Sequence, residues 1–319
     1  MSTALRFDLG APDLGAWRAG NTGVEGVWHF DSGRPGRRVM ISALIHGNEL
    51  CGAWALKDLL DAGVRPMAGQ LTLALCNLAA FDQFDPGNHD ASRFVDQDMN
   101  RQWQDARIDA ADTLERRRCA ALRPFAQAAD WLLDLHSMHE PGAPLLLTGM
   151  QPRNLQLARA MGAPEHIVID AGHQDGTRLR DYGRFGLPDA EAGDSRSLLV
   201  ECGFHGDPAS RGVARDQCVR FLQAAGTLAP DALPGWRQMD APRQWALEVT
   251  GPVVAKSERF AFTEPFTGLE VIARAGTVIG DNDGEPVTTP YDDCVLVMPS
   301  TRQARAGVTV VRFARRRPL

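Results

Sequence analysis

A histidine and a glutamate three residues apart, His46 and Glu49, stand where the apolar run 41–45 gives way to a helix-like stretch. One turn brings positions i and i+3 to a common face, so an imidazole and a carboxylate can converge there on one cation. Gly47 between them permits a sharp bend. A second histidine, His136, ends the apolar run 131–135, with Asp134 two residues before it. It would complete two imidazoles and one carboxylate, the ligand set of catalytic zinc with a fourth position left for water. Asp134 is the nearest partner in sequence for its other ring nitrogen. Glu201 follows the apolar run 198–200 and precedes Cys202 and Gly203. A glutamate at such a place can take a proton from water and return it to a leaving nitrogen. Between these pieces, residues 93–101 are charged where a loop is expected, with Arg93, Asp96, Asp98, Asn100 and Arg101. The guanidinium fork suits both carboxylate recognition and a developing oxyanion.

Taken singly, each window has an ordinary reading: a surface pair at a helix start, a histidine bonded to a loop, a salt-bridged glutamate, a solvated loop. Their order and placement say more. All three chemical pieces fall beyond the carboxyl ends of apolar runs, where open α/β sheets place their sites. Other plans fit less well. The nearest approach to G-x-S-x-G, residues 193–197, lacks the final glycine. Cys202 has His205 three residues on, but a buried thiol after a strand is the simpler reading. His139 could offer another ligand, although Glu49 already completes the set.

The elements that must position these residues alternate. Short apolar runs at 39–45, 71–77, 131–135, 145–147, 167–169 and 197–200 read as strands buried on both faces. Between them, 50–60, 106–129 and 209–228 carry helical spacing. The core is therefore α/β. After Pro230 the composition changes, and 260–262, 269–272, 277–279 and 294–298 look like short strands, with a turn at 281–284. A catalytic domain over 1–235 and a β-rich domain over 236–319 follow.

The chain has 319 residues and a formal net charge of -6, with its arginines scattered rather than gathered into a stripe, which argues against a nucleic-acid footprint. Its six cysteines form no C-x-x-C pair. Arg6 and Asp8 interrupt the first ten residues, so no signal peptide is read there, no apolar run approaches a membrane span, and a cytoplasmic location is expected.

Together, H-G-N-E at 46–49, R-x-x-D-x-D-x-N-R at 93–101, D-L-H-S at 134–137 and V-E-C-G at 200–203 closely resemble the succinylglutamate desuccinylase and aspartoacylase family, relatives of the zinc carboxypeptidases. The motifs cover roughly residues 38–225. The resemblance implies a mixed central sheet flanked by helices, with a smaller β domain that caps the cleft. It implies one zinc ion held by His46, Glu49 and His136, with Glu201 as the catalytic carboxylate. Arg93 matches the arginine that polarises the scissile carbonyl, Asn100 and Arg101 match groups that bind a substrate carboxylate, and Asp98 is placed to orient these arginines. Tyr291 is the first candidate for a tyrosine lent by the tail. A further arginine upstream of Glu201 is expected, with Arg184 and Arg196 competing. The implied activity is hydrolysis of the amide bond in a small N-acyl amino acid or related carboxylate-bearing amide, and a homo-oligomer is compatible with it. A carboxypeptidase-type peptidase or esterase using the same site, and a non-catalytic zinc or small-molecule binding protein, are the alternatives.

Overall fold

Near-continuous apolar runs form the inner strands because both of their faces are covered. The computed structural model describes residues 5–172, 175–238 and 243–319; the first four residues of the amino-terminal stretch read above lie outside these. In chain order the strands of the core are β1 (Val27–Asp31), β2 (Arg38–Ala43), β3 (Gln70–Leu75), β4 (Trp131–Met138), β5 (Leu145–Leu147), β6 (His166–Ile169) and β7 (Arg196–Phe204). The tail adds β8 (Trp245–Val254), β9 (Ala261–Phe262), β10 (Val271–Ile272), β11 (Val278–Asp281), β12 (Pro286–Thr288), β13 (Cys294–Val297) and β14 (Thr309–Pro318). One 11-stranded mixed sheet runs β1-β3-β2-β4-β7-β5-β6-β8-β14-β13-β10, and β12-β11-β9 form a second, small sheet. β3, β2, β4 and β7 are parallel neighbours, and β5 reverses against β7.

The α/β core and the β-rich tail are as the sequence implied. The two longest tail strands, β8 and β14, were not visible in its pattern. β8 pairs in parallel with β6 and antiparallel with β14, so the tail continues the central sheet. The helix read over 106–129 is two, Asp105–Ala110 and Leu114–Ala128. Ala111 ends the first in a left-handed conformation, and the Thr113 hydroxyl accepts from the Arg116 amide to cap the second. A helix at Pro152–Met161 was not anticipated. All six cysteines are buried free thiols. Among the described residues no helix is long and apolar enough to cross a membrane.

Alternation along the strands sorts their side chains into two layers. Val39, Ile41 and Ala43 of β2, Leu133 and Leu135 of β4, and Leu198 and Val200 of β7 face the helices Leu50–Asp61 and Ala209–Ala224. Met40 and Leu132 face the other layer, with Cys119 and Leu122 of Leu114–Ala128. The same alternation sends Asp134, His136 and Glu201 to that second face. The helix that follows Glu49 lies close on the first: a Cβ added at Gly52 would stand 2.9 Å from the Cβ atoms of both Ala43 and Leu135. Gly52→Val is therefore expected to destabilise by about 1–3 kcal/mol through overpacking, read as a lower urea midpoint. An unchanged midpoint would show that the helix can move away from the sheet without cost.

Candidate metal centre

His46 and Glu49 meet through a turn that precedes the helix rather than on the helix itself. The Glu49 amide donates to the His46 carbonyl at 3.2 Å, and the helix begins only at Leu50. Gly47 earns its place by close approach: a Cβ there would come within 2.5 Å of backbone atoms of Ala80, Phe81 and Ser92. Its amide donates to the Arg93 carbonyl at 3.1 Å, which ties the charged loop to this turn.

The His46 Nδ1 lies 2.7 Å from Glu49 Oε1, and the His136 Nδ1 lies 2.8 Å from Glu49 Oε2. Ligand atoms of the three buried residues all fall within 4.8 Å of one another. The outer nitrogens face away from this meeting point. His46 Nε2 is 3.0 Å from Asp98 Oδ1, and His136 Nε2 is 2.9 Å from Asp134 Oδ2. Asp134 and His136 touch because positions two apart share a strand face. A carboxylate behind each imidazole fixes its orientation and leaves Nδ1 as the ligating atom. Glu49 Oε2 is buried with no hydrogen bond despite the nearby imidazole. Two Nδ1 atoms and an orphaned carboxylate oxygen, ringed by the anions Asp98 and Asp134, are a donor set that suits a zinc-sized cation.

Glu201 stands beside His136 on the neighbouring parallel strand, the two being paired in register. It is buried, and its Oε2 also lacks a hydrogen bond. Burial first, and then the Glu49 carboxylate, push the Glu201 carboxyl well above its ordinary range. Burial raises the Glu49 carboxyl as well, but the imidazoles of His46 and His136 outweigh it and hold Glu49 well below the usual range. Two carboxyl groups in one pocket are thus driven apart, one toward the anion and one toward the acid, the division that acid–base chemistry needs.

The loop at 93–101 delivers its arginines to the same place. Arg93 Nη1 is 3.5 Å from Glu49 Oε1, and Arg93 Nη2 donates to Asp98 Oδ2 at 3.2 Å. Asp98 also accepts from the Asn100 amide at 2.8 Å. Asn100 spends its side-chain oxygen on the Leu179 amide at 3.2 Å, and Arg101 donates from Nε to Asp175 at 3.1 Å.

Tyr291 is not brought to this cluster. Its hydroxyl shares a 2.7 Å hydrogen bond with Thr250, and the Arg315 guanidinium sits 3.7 Å over its ring. Arg184 and Arg196 lie at the wrong end of the strands. Arg184 donates to the carbonyl of Ala129, which precedes β4, and Arg196 opens β7 against Asp194, five residues before Glu201. The structure instead brings Arg178 beside Asn100 and Arg101, its segment bridging Gln102 at Thr177. It is 3% exposed, pairs with Asp170 and Asp181, and keeps a buried Nη2 without a hydrogen bond among the described residues.

Sequence reasoning also missed Glu115. This fully buried carboxylate, on the helix Leu114–Ala128, accepts from the backbone amides of Val95, Asp96 and Gln97 at 2.7–3.1 Å and from the Asn77 side chain at 3.1 Å. It thereby sets the path of the loop between Arg93 and Asp98. The helical stretch read over 106–129 covered its position, but nothing in the sequence marked its carboxylate. Glu115→Ala strands three amides and should cost roughly 3 kcal/mol, seen in chemical denaturation. A loss below about 1 kcal/mol would mean that water replaces the carboxylate.

Residues 35–187 match the model of the succinylglutamate desuccinylase/aspartoacylase catalytic domain. The succinylglutamate desuccinylase of Paraburkholderia xenovorans (strain LB400) is 28% identical over 310 residues, spanning 86% of this chain and 81% of that one. Among solved structures, a succinylglutamate desuccinylase/aspartoacylase from Rhodobacter sphaeroides superposes with a TM-score of 0.63 at 20% identity, covering 88% of this chain and 86% of that one. A succinylglutamate desuccinylase from Vibrio cholerae gives 0.64 at 18% identity over 91% and 85%. The product-bound ectoine utilization protein EutE (DoeB) from Ruegeria pomeroyi gives 0.61 at 17% identity over 88% and 85%.

Proposed function

Since the chain belongs to the succinylglutamate desuccinylase/aspartoacylase family, a family of hydrolases that deacylate N-acyl amino acids, we propose that it hydrolyses the amide bond of a small N-acyl amino acid at a single zinc centre. The observation that carries this reading is the meeting of two Nδ1 atoms and the Glu49 carboxylate, with Glu201 one strand away.

In this reading His46, Glu49 and His136 hold the zinc. When bound, zinc would supply Lewis acidity, lowering the pKa of a water to about 7 and polarising a carbonyl. Glu201, whose affinity for a proton is raised by burial and by Glu49, takes the proton of the attacking water as the ionised carboxylate and then passes it to the departing amine. Arg93 faces the negative charge that grows on the carbonyl oxygen. Arg101 and Arg178 supply positive charge for a substrate carboxylate, and Asn100 holds the 175–179 segment beside them. Burial draws the Arg101 guanidinium below its ordinary pKa, which measures how far this side is removed from water. Tyr291 has no part in this assignment, because Thr250 and Arg315 occupy it.

The test is a screen of N-acylated amino acids, with acetyl, dicarboxylic and longer apolar acyl groups, run beside peptides with free carboxyl termini and simple esters. Zinc is measured on the same protein. Turnover of one or more N-acyl amino acids by zinc-loaded protein is expected. Faster turnover of peptides or esters would replace the reading with that of a peptidase or esterase, and zinc binding with no turnover at all would make this a binding protein.

A further inference from the structure

His139 lies one residue beyond β4 and contributes nothing to the metal cluster, yet three of its neighbours converge on it. Arg93 Nη1 donates to His139 Nε2 at 3.3 Å. Gln303, from the tail, places its amide nitrogen 3.4 Å from the same Nε2. Asp90 Oδ1 faces His139 Nδ1 at 3.3 Å. A guanidinium has no lone pair to offer, so Nε2 must be the acceptor and the ring proton must sit on Nδ1, toward Asp90. Burial keeps the imidazole below its ordinary pKa, in keeping with a neutral ring beside Arg93. The Gln303 segment is itself fastened next door: Ser300 and Arg302 both donate to Glu140 Oε1, at 3.2 and 3.0 Å.

We propose that His139 is a positioning residue that fixes the guanidinium of Arg93 over the reacting carbonyl, and that the tail reaches the site by this route, through Gln303. Arg93 is then gripped on two sides, by Asp98 at Nη2 and by His139 at Nη1. The inference rests on the assignment of Arg93 above. Because Arg93 serves charge that appears only in the transition state, loosening it lowers kcat and leaves KM nearly unchanged.

The experiment compares wild type, His139→Leu and His139→Gln, with Gln303→Ala as a milder probe of the tail. Kinetics, zinc content and the side-chain 15N spectrum of the histidines are read on each zinc-loaded protein. His139→Leu should lose roughly 10- to 100-fold in kcat, with zinc content and KM close to wild type. In His139→Gln the side-chain oxygen can still accept from Arg93, so kcat should recover most of that loss. Gln303→Ala should fall between this variant and wild type. In wild type, the resonance lost on substituting His139 should report a neutral ring protonated at Nδ1. The proposal is overturned by an unchanged kcat in His139→Leu, by equal losses in the two variants, by a loss carried wholly in KM or in zinc, or by a ring protonated at Nε2. If wild type turns over no N-acyl amino acid, the functional reading fails by itself. The 15N spectrum then still decides whether His139 accepts from Arg93, and it does so even if His139→Leu fails to fold.

Discussion

Glu201→Gln should cut kcat by roughly 10²- to 10⁴-fold and yet melt higher than wild type at pH 8. The first effect follows from removing the group proposed to move the proton. The second follows from where Glu201 sits: buried, without a hydrogen bond on Oε2, and beside Glu49. The unfolded chain releases this proton near pH 4.3, whereas the folded chain holds it to higher pH. Over that interval the native state binds more protons than the unfolded state, so stability falls as pH rises. Glutamine does not titrate. The variant's advantage is therefore absent below about pH 4, grows as pH climbs, and is complete above the folded pKa. Each kcal/mol relieved raises Tm by roughly 1–2 °C in a chain of 319 residues. The check is Tm against pH for both proteins after the same chelator treatment, together with kcat. A variant that melts at or below wild type at pH 8 would show that Glu201 is not strained in the folded state.

Removing the metal should have the largest effect of all. Treatment with a strong chelator is expected to abolish hydrolysis, and one equivalent of zinc to restore it, because two imidazoles and Glu49 converge within 4.8 Å where water has little access. Zinc should also stabilise the fold, since the unfolded chain offers no such site. Free zinc at a thousand times its dissociation constant contributes about 4.1 kcal/mol, so melting curves with and without chelator should separate by many degrees. Full activity with no measurable zinc would remove the metal from the account.

The residues at strand ends were legible because the chemistry stands out against apolar neighbours. His136 and Glu201 each terminate a run that only a strand buried on both faces would carry, and the structure pairs them in register. His46 and Glu49 were legible as a pair, although a turn rather than a helix unites them. What the sequence hid is support supplied from a distance. Glu115 lies 14 residues beyond Arg101 on another element, and its carboxylate became meaningful only once three amides were seen to end on it. β14 was illegible because Arg312, Arg315, Arg316 and Arg317 break any apolar pattern, and β8 because Glu248, Thr250, Gly251 and Pro252 do the same. Tyr291 drew notice as one of two tyrosines, a matter of residue type, whereas Gln303 carried no such signal and is the tail residue that reaches His139.

The pairing of β8 with β6 also governs how the protein can be shortened. The matched family segment stops at 187, which invites trimming the gene to a minimal enzyme. Cutting ahead of Trp245 would strip β6 of its outer neighbour and turn an interior strand into a bare row of amides and carbonyls, the kind of border that recruits other chains. A truncated product should therefore collect in inclusion bodies, and the carboxyl-terminal quarter is as much a safeguard of solubility as part of the architecture.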